Sequence, residues 1–355
     1  MDAGASHRNI VGRGAAGNPK NRFERIEVHP DPEALEDGPR PETVYLRDRS
    51  RSIIARNESP DIGFDASVNP YRGCSHGCSY CFARPTHEYL GLSAGLDFES
   101  KVLVKEEAPD LLRKQLSSPR WEPKVLSMSG VTDPYQPVEK DLRITRGCLE
   151  VLAGFRNPVA IVTKNHLVTR DIDFLSELAR HGAAMVAVSL TTLDDDLRRV
   201  MEPRTSRPAR RLAAIEKLAQ AGVPVGVMTA PVIPGVNDHE LPDLLAAAAE
   251  TGAGFAAYVP VRLPGAVRPI FEDWLERHYP ERKQKVLNRI RSMRGGALND
   301  PRFGSRMKGE GIFADHITQL FSISCRRAGI EAGRFPKLST AAFRRDGGAQ
   351  PGLFD

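Results

Sequence analysis

Short apolar segments alternate with segments of helical periodicity between about residue 64 and residue 265. The apolar segments are rich in Val, Ile and Ala and predict buried parallel strands at Ala66–Tyr71, Lys124–Ser129, Pro158–Lys164, Ala184–Leu190, Val223–Thr229 and Phe255–Arg262. The periodic segments predict helices at Pro109–Leu116, Leu142–Phe155, Asp171–His181, Ala209–Ala221 and Glu240–Thr251. This alternation favours an α/β fold, in which a parallel sheet is connected by crossover helices. In barrels and open sheets of this kind, the chemistry lies at the carboxyl ends of the strands.

The segments that flank this alternating region differ from it in pattern. Residues 1–60 show little periodicity and predict an extended, partly disordered N-terminal arm, which precedes a core at 61–265. Residues 266–345 predict a basic helical extension, with helices at Pro269–Met293 and Phe313–Ala328, and 346–355 a flexible tail. Gly12, Gly14 and Gly17 have the spacing of a dinucleotide-binding fingerprint. No strand is predicted before them and no helix after them, so we expect no dinucleotide site there.

Composition narrows the class of protein. The chain has 355 residues, of which 41% are hydrophobic and 27% charged, enough to bury a sizeable core. No segment approaches the roughly 18 apolar residues of a membrane span, and the N-terminus has no apolar signal region, so a cytoplasmic protein is expected. Five cysteines are too few for a disulfide scaffold, and three of them fall within eight residues. That clustering indicates a cysteine-ligated metal in a reducing compartment.

Positive charge is concentrated near the C-terminus. Residues 262–345 contain 18 Lys and Arg against 8 Asp and Glu, although the whole chain has a net charge of only +5. A basic region of this kind is typical of a protein that binds nucleic acid. The alternative is that these charges simply lie on solvated helix faces.

The clustered cysteines are Cys74, Cys78 and Cys81, on a segment that also contains Gly73 and Gly77. Structural zinc normally takes four protein ligands, whereas a [4Fe–4S] cluster held by three cysteines leaves one iron open for another ligand. Two alternatives stay open. A zinc site completed by His76 or His87 would belong to a zinc-stabilised nucleic-acid-binding protein without catalysis, and a structural or redox-sensing cluster would not cleave a cofactor.

The motif C-x3-C-x-aromatic-C at the end of the first strand resembles the signature of radical SAM enzymes. The resemblance spans roughly residues 64–265 and implies a partial (β/α)6 TIM-like barrel of parallel strands. It also implies a [4Fe–4S] cluster and S-adenosylmethionine as cofactors, with an external electron donor of the flavodoxin or ferredoxin kind. Such an enzyme cleaves S-adenosylmethionine reductively, and the resulting 5′-deoxyadenosyl radical abstracts hydrogen from a substrate.

The resemblance implies roles for residues at the strand ends. It places Cys74, Cys78 and Cys81 on the cluster and Tyr80, Ser129, Lys164 and Ser189 on S-adenosylmethionine. Ser129 would contact the methionine amino group, Lys164 its carboxylate and Ser189 the ribose. Further candidates are Thr132, Asp133, Glu139, Arg210 and Arg211. Helix capping, for the first three, and surface ion pairs, for the arginines, are the alternative interpretations.

Two segments, Asn69–Cys74 and Thr132–Pro137, resemble the branch of the superfamily related to spore photoproduct lyase. That lyase has a hydrogen-donating cysteine beside the second-strand serine, where this chain has Ser127 and Met128. Cleavage of thymine dimers is therefore not expected, and the substrate, with nucleic acid as one candidate, is not identified by the sequence. Cys148 and Cys325 lie in predicted helices and are expected to be buried, inert thiols.

The last residues carry a short peptide motif. Gln350–Phe354 resembles peptides that dock on the bacterial DNA sliding clamp through a Leu-Phe pair, which makes the clamp a predicted partner. Folding back of Leu353 and Phe354 onto the protein is the alternative.

Overall fold

The computed structural model describes residues 10–24 and 42–345. The strands in this part of the chain are β1 (Val44–Arg47), β2 (Ile54–Arg56), β3 (Ala66–Val68), β4 (Tyr71–Arg72), β5 (Lys101–Val104), β6 (Leu126–Met128), β7 (Val159–Thr163), β8 (Ala184–Ser189), β9 (Val225–Val232), β10 (Phe255–Pro260) and β11 (Glu331–Ala332). The helices are α1 (Leu96–Ser100), α2 (Ala108–Ser117), α3 (Glu139–Leu142), α4 (Ile144–Phe155), α5 (Ile172–Arg180), α6 (Asp195–Met201), α7 (Pro208–Gln220), α8 (Leu241–Glu250), α9 (Val267–His278), α10 (Pro280–Ser292), α11 (Ser305–Lys308) and α12 (Ile312–Ala328). Three 3₁₀ segments lie at Arg84–Leu90, His166–Asp171 and Asp238–Glu240.

The main sheet has eight strands in the order β2-β3-β6-β7-β8-β9-β10-β11. All neighbours pair in parallel except β2 and β3, which are antiparallel. The six predicted strands are therefore present, and they run in chain order from β3 to β10. The predicted fold class is confirmed as a mixed α/β fold with a parallel sheet that forms a partial barrel. Parallel pairing brings the carboxyl ends of all six strands to one edge.

The core lies between this sheet and the crossover helices. Strands β3 and β6 are buried along their whole length, as their apolar composition predicts. The helices bury one apolar stripe each, for example Leu149 and Leu152 on α4 and Leu175 and Leu178 on α5. Cys148 and Cys325 are fully buried, as predicted.

The C-terminal extension differs from its prediction in two places. The single helix predicted at Pro269–Met293 is two helices, because Pro280 cannot continue a helix and disfavours helical geometry at Tyr279. The extension was also predicted to be helical only, yet β11 adds a two-residue strand beside β10. Such a short strand has no detectable sequence period.

Parts of the predicted N-terminal arm pack on the core. Strand β1 joins β5 and β4 in a second, three-stranded sheet, and Arg13 and Ala15 are buried. Gln350–Phe354, the predicted clamp-binding peptide, lies outside the described residues and stays a prediction. Across residues 10–24 and 42–345, no helix combines the length and apolar character that crossing a membrane requires.

Candidate functional site

The three clustered cysteines lie on a loop that follows β4 and is held by backbone contacts. Gly73 and Gly77 have φ angles of +80° and +69°, a conformation that favours glycine. The amide of Cys74 donates to the carbonyl of Phe98 at 2.9 Å, and that of Ser79 to the carbonyl of Met201 at 3.0 Å. The loop is thus fixed between α1 and the end of α6.

All three thiols are free, and Cys74 and Cys78 are buried. Burial raises the pKa of Cys78 well above its usual value and that of Cys81 to about 11. These sulfurs therefore become thiolates at neutral pH only when they bind a positive centre. In the described part of the chain, no three His, Cys, Asp or Glu side chains lie close enough together to hold a metal ion. The structure therefore gives no support to a zinc site. The same finding does not count against a [4Fe–4S] cluster, because a cluster holds its thiolates farther apart than a single ion does.

Both histidines considered as zinc ligands have other partners. His76 Nδ1 lies 3.4 Å from the Asp133 carboxylate, and His87 Nε2 lies 2.9 Å from the Lys101 carbonyl. Asp133 also accepts hydrogen bonds from the Thr163 hydroxyl and the Lys164 amide, both at 2.8 Å. Asp133 therefore joins the cysteine loop to the end of β7.

A buried carboxylate, Glu99, supports the cysteine loop from one side. Its Oε1 lies 2.5 Å from Arg84, and both side chains are inaccessible to solvent. Arg84 in turn donates to the carbonyl of Cys78 at 2.9 Å. The other donors to Glu99 are the amides of Gly14 (3.1 Å) and Ala15 (2.8 Å). A short N-terminal segment is thereby fixed against the loop.

That segment, residues 10–24, is named the N-terminal strap here. A Cβ atom on Gly14 would lie 1.9 Å from the carbonyl oxygen of Gly77, so the strap and the cysteine loop touch backbone to backbone. The strap continues to α1, where the amide of Leu96 donates to the carbonyl of Gly17 at 3.1 Å. Of the glycines that matched the dinucleotide spacing, Gly14 therefore serves close packing beside the cysteines.

A second buried carboxylate, Glu202, lies on the barrel side of the loop. It receives hydrogen bonds from the hydroxyls of Tyr80 and Thr191 and pairs with Arg211 at 2.5 Å. Lys164 Nζ lies 3.3 Å from the same carboxylate. Burial alone would raise the pKa of Glu202, but the charges of Arg211 and Lys164 lower it well below its usual range. Glu202 is therefore a buried anion at neutral pH.

Two of the four predicted cofactor residues, Tyr80 and Lys164, contact this anion, and a third, Ser189, contacts Lys164. The ammonium group of Lys164 donates to Ser189 Oγ at 2.7 Å and to the Ala230 carbonyl at 3.2 Å, and it lies 5.7 Å from the Tyr80 ring centroid. These side chains come from the cysteine loop and from the ends of β7 and β8. Parallel pairing of the strands brings them together.

The fourth residue, Ser129, follows β6 at the same edge and has a φ angle of 105°, which is strained for a residue with a side chain. Of the further candidates, Glu139 is buried and bonded to Tyr71 (2.5 Å), Thr145 and Arg170, so it joins secondary-structure elements. Arg210 is near the surface beside His166.

Sequence reasoning missed the two central carboxylates. Glu99 and Glu202 look like ordinary solvated acids, because one lies in a five-residue helix and the other just after α6. The signal that could have found Glu202 is its place, directly after the short helix that follows β8 and just before a Pro-Arg pair.

Comparison with known proteins assigns the class. Residues 68–248 match the family model of the Radical SAM superfamily, and the chain belongs to that superfamily. An uncharacterized protein of Mycobacterium tuberculosis is 40% identical over 232 residues, which are 64% of this chain and 68% of that protein. An uncharacterized protein of Methanocaldococcus jannaschii is 27% identical over 222 residues, 62% of this chain and 79% of that protein.

Solved structures of spore photoproduct lyase share the fold. The lyase complexed with dinucleoside spore photoproduct has a TM-score of 0.58 at 16% identity, over 82% of each chain. A double mutant with bound AdoMet and the dinucleoside has a TM-score of 0.57, also at 16% identity over 82% of each chain. At this identity the likeness extends to the fold alone.

Membership of the superfamily implies a [4Fe–4S] cluster and S-adenosylmethionine as cofactors. The residues present fit both groups. The loop offers three free thiols, and a [4Fe–4S] cluster held by three cysteines leaves one iron open for another ligand. Beside it, Lys164 and Ser189 supply a cation and a hydroxyl.

Proposed function

We propose that this protein cleaves S-adenosylmethionine reductively and uses the radical so formed to abstract a hydrogen atom from a substrate. The observation that carries the proposal is a connected network, in which Tyr80 and Lys164 contact buried Glu202 and Lys164 donates to Ser189, next to a loop with three free thiols. A structural role alone would not need a lysine amid this network, because burying an ammonium group is costly.

In this proposal Cys74, Cys78 and Cys81 hold the cluster. When bound, the cluster supplies one electron that breaks the sulfonium–C5′ bond, which yields methionine and a 5′-deoxyadenosyl radical. Buried Tyr80 closes the loop over this position by its hydrogen bond to Glu202.

The chain's own residues would orient the cofactor. Lys164 has three acceptors within the protein, so we propose that a methionine carboxylate replaces one of them. Ser189, now bonded to Lys164, would turn its hydroxyl to the ribose. Ser129 would contact the methionine amino group from the end of β6.

The electron would come from an external flavodoxin- or ferredoxin-like donor in the cytoplasm. We propose nucleic acid as the substrate class, supported by the basic C-terminal extension and by the dinucleoside bound in the related lyase structures. Thymine-dimer cleavage is not part of the proposal, because Ser127 and Met128 lie where the hydrogen-donating cysteine would be needed.

The test is anaerobic reconstitution with iron and sulfide, followed by reduction and an assay for 5′-deoxyadenosine. We expect about four irons per chain and product formation in the wild type. Cys78→Ala should lose both iron and product. Cys325→Ala removes a buried thiol of α12, away from the loop, and should keep both.

Two results would contradict the proposal. One is stoichiometric zinc in the native protein with no product after reconstitution. The other is an equal loss of iron in Cys78→Ala and Cys325→Ala, which would show that the cysteine loop is not the cluster site.

A further inference from the structure

An arginine beside the cysteine loop has no acidic partner in the described part of the chain. Arg262 follows β10 at the edge that carries Lys164 and Ser189. Its guanidinium carbon lies 5.9 Å from the ring centroid of Phe82. Phe82 directly follows Cys81, and 53% of its surface is exposed. The pair therefore lies next to the cysteine loop, with the Phe82 ring open to solvent.

The hydrogen-bonding groups of Arg262 are poorly satisfied. Its Nη1 donates to Met307 Sδ at 3.3 Å, and a thioether is a weak acceptor. Its Nε is buried and has no hydrogen-bond partner among the described residues. A buried donor without a partner costs about 1–3 kcal/mol, and more when it is charged. This guanidinium therefore lacks the oxygen acceptors that it would gain from an anion.

The neighbouring charges add to this deficit. Arg306 lies nearby and is paired in two-pronged fashion with Asp61, at 2.5 and 2.6 Å. Arg294 is buried and donates only to backbone carbonyls among the hydrogen bonds described. Burial and the charge of Arg262 lower the pKa of Arg294 to about 10. Of Arg262, Arg294 and Arg306, only Arg306 has a carboxylate within ion-pair distance among the described residues, and Asp61 and Asp300 act on the other two from farther away.

We propose that Arg262 and Phe82 form a subsite for one nucleotide unit, with the phosphate on the guanidinium and the base on the exposed ring. Guanidinium groups bind phosphate oxygens well, and bases stack on exposed aromatic rings in single-strand binding proteins. The inference rests on the proposed function, since it assigns the substrate class proposed there, nucleic acid, to residues beside the cysteine loop.

The test is binding of a fluorescein-labelled single-stranded oligodeoxynucleotide to the anaerobically reconstituted protein, followed by fluorescence anisotropy. Arg262→Gln should weaken binding about tenfold or more and reduce the salt slope by about 0.7. The control is Arg268→Gln, which removes the same charge from an exposed side chain on α9 and should change the affinity less than about twofold. Competition by a nucleoside monophosphate and by its nucleoside distinguishes a free nucleotide from a strand as the ligand.

Further variants protect the test against a folding defect. Phe82→Ala alters an exposed side chain and should weaken binding about fivefold or more, and Arg262→Lys should keep part of the affinity. Wild-type affinity in both Arg262→Gln and Phe82→Ala, equal losses in Arg262→Gln and Arg268→Gln, or no binding by the wild type would overturn the subsite. If the oligonucleotide binds as expected but no 5′-deoxyadenosine forms, the subsite stands and the proposed function fails.

Discussion

Two buried carboxylate–arginine pairs flank the cysteine loop, and they differ in the other groups that donate hydrogen bonds to the carboxylate. Glu99–Arg84 and Glu202–Arg211 both have N–O distances of 2.5 Å and almost no solvent exposure. The carboxylate oxygens of Glu99 otherwise accept only from backbone amides of the strap among the described contacts, and its main-chain carbonyl accepts from Arg13. Those of Glu202 accept from side chains, Tyr80 among them.

Under the proposed function, this difference separates a structural network from a binding network. Backbone donors fix one segment of chain to another and leave no group for a ligand. Side-chain donors at the strand ends can exchange a protein acceptor for a ligand oxygen, and Lys164 still has 15% of its side chain exposed. Similar ion pairs thus serve different purposes on the two sides of the loop.

The largest predicted effect is the loss of stability when Glu99 is replaced. Glu99→Gln replaces the carboxylate by an amide whose NH2 faces donors, and it leaves the charge of Arg84 buried and unpaired. The free energy of unfolding should fall by about 3–5 kcal/mol, as measured by urea denaturation of the apoprotein. Glu202→Gln should also destabilise, but only this second variant should weaken S-adenosylmethionine binding in the fraction that stays folded. Equal S-adenosylmethionine affinity in Glu99→Gln and Glu202→Gln would show that the two carboxylates do not differ in their role in cofactor binding.

The next largest predicted effect is the loss of S-adenosylmethionine affinity when Lys164 is replaced. Lys164→Met should weaken S-adenosylmethionine binding by at least tenfold, because a charge-assisted hydrogen bond contributes about 1.5–3 kcal/mol. Equilibrium dialysis of the reconstituted protein would measure it. The free energy of unfolding should change less than in Glu99→Gln, and unchanged cofactor affinity would remove Lys164 from the site.

A smaller predicted effect concerns the packing of the strap against the cysteine loop at Gly14. Gly14→Ala places a methyl group against the carbonyl of Gly77 and should cost about 1–3 kcal/mol of stability. It should also speed the loss of cluster absorbance in air. Gly17→Ala is the matched control, because no atom lies within 4 Å of its new Cβ. Similar behaviour of the two variants would show that the strap does not protect the loop.

The smallest effect concerns an ion pair outside both networks. The hydrogen bond from Arg306 lowers the pKa of Asp61 to about 2. A carboxyl group with a lowered pKa adds stability that is fully present above about pH 4 and is lost as the pH falls towards 2. Asp61→Asn should therefore flatten the pH dependence of the free energy of unfolding between pH 4 and 2. An unchanged slope would show that the pair adds no stability.

The sheet was predictable from the sequence, and much of the support around the loop was not. Apolar runs locate the six strands from β3 to β10 of the main sheet to within a few residues, since buried strands need such runs, and among its described parallel strands they miss only the short β11. The strap has no hydrophobic periodicity, because close packing of a glycine backbone requires no pattern of apolar side chains. Glu99 and Glu202 were missed since burial of an acid depends on partners that are distant in sequence. Tyr80, Lys164 and Ser189 followed from a family resemblance, and the structure brings them together.

The most direct test of the account is the electron paramagnetic resonance spectrum of the reduced, reconstituted protein, recorded with and without S-adenosylmethionine. The account predicts a [4Fe–4S] signal whose g-values shift when the cofactor binds to the open iron, with a smaller shift in Lys164→Met at the same cofactor concentration. A cluster signal that S-adenosylmethionine leaves unchanged in the wild type would contradict it.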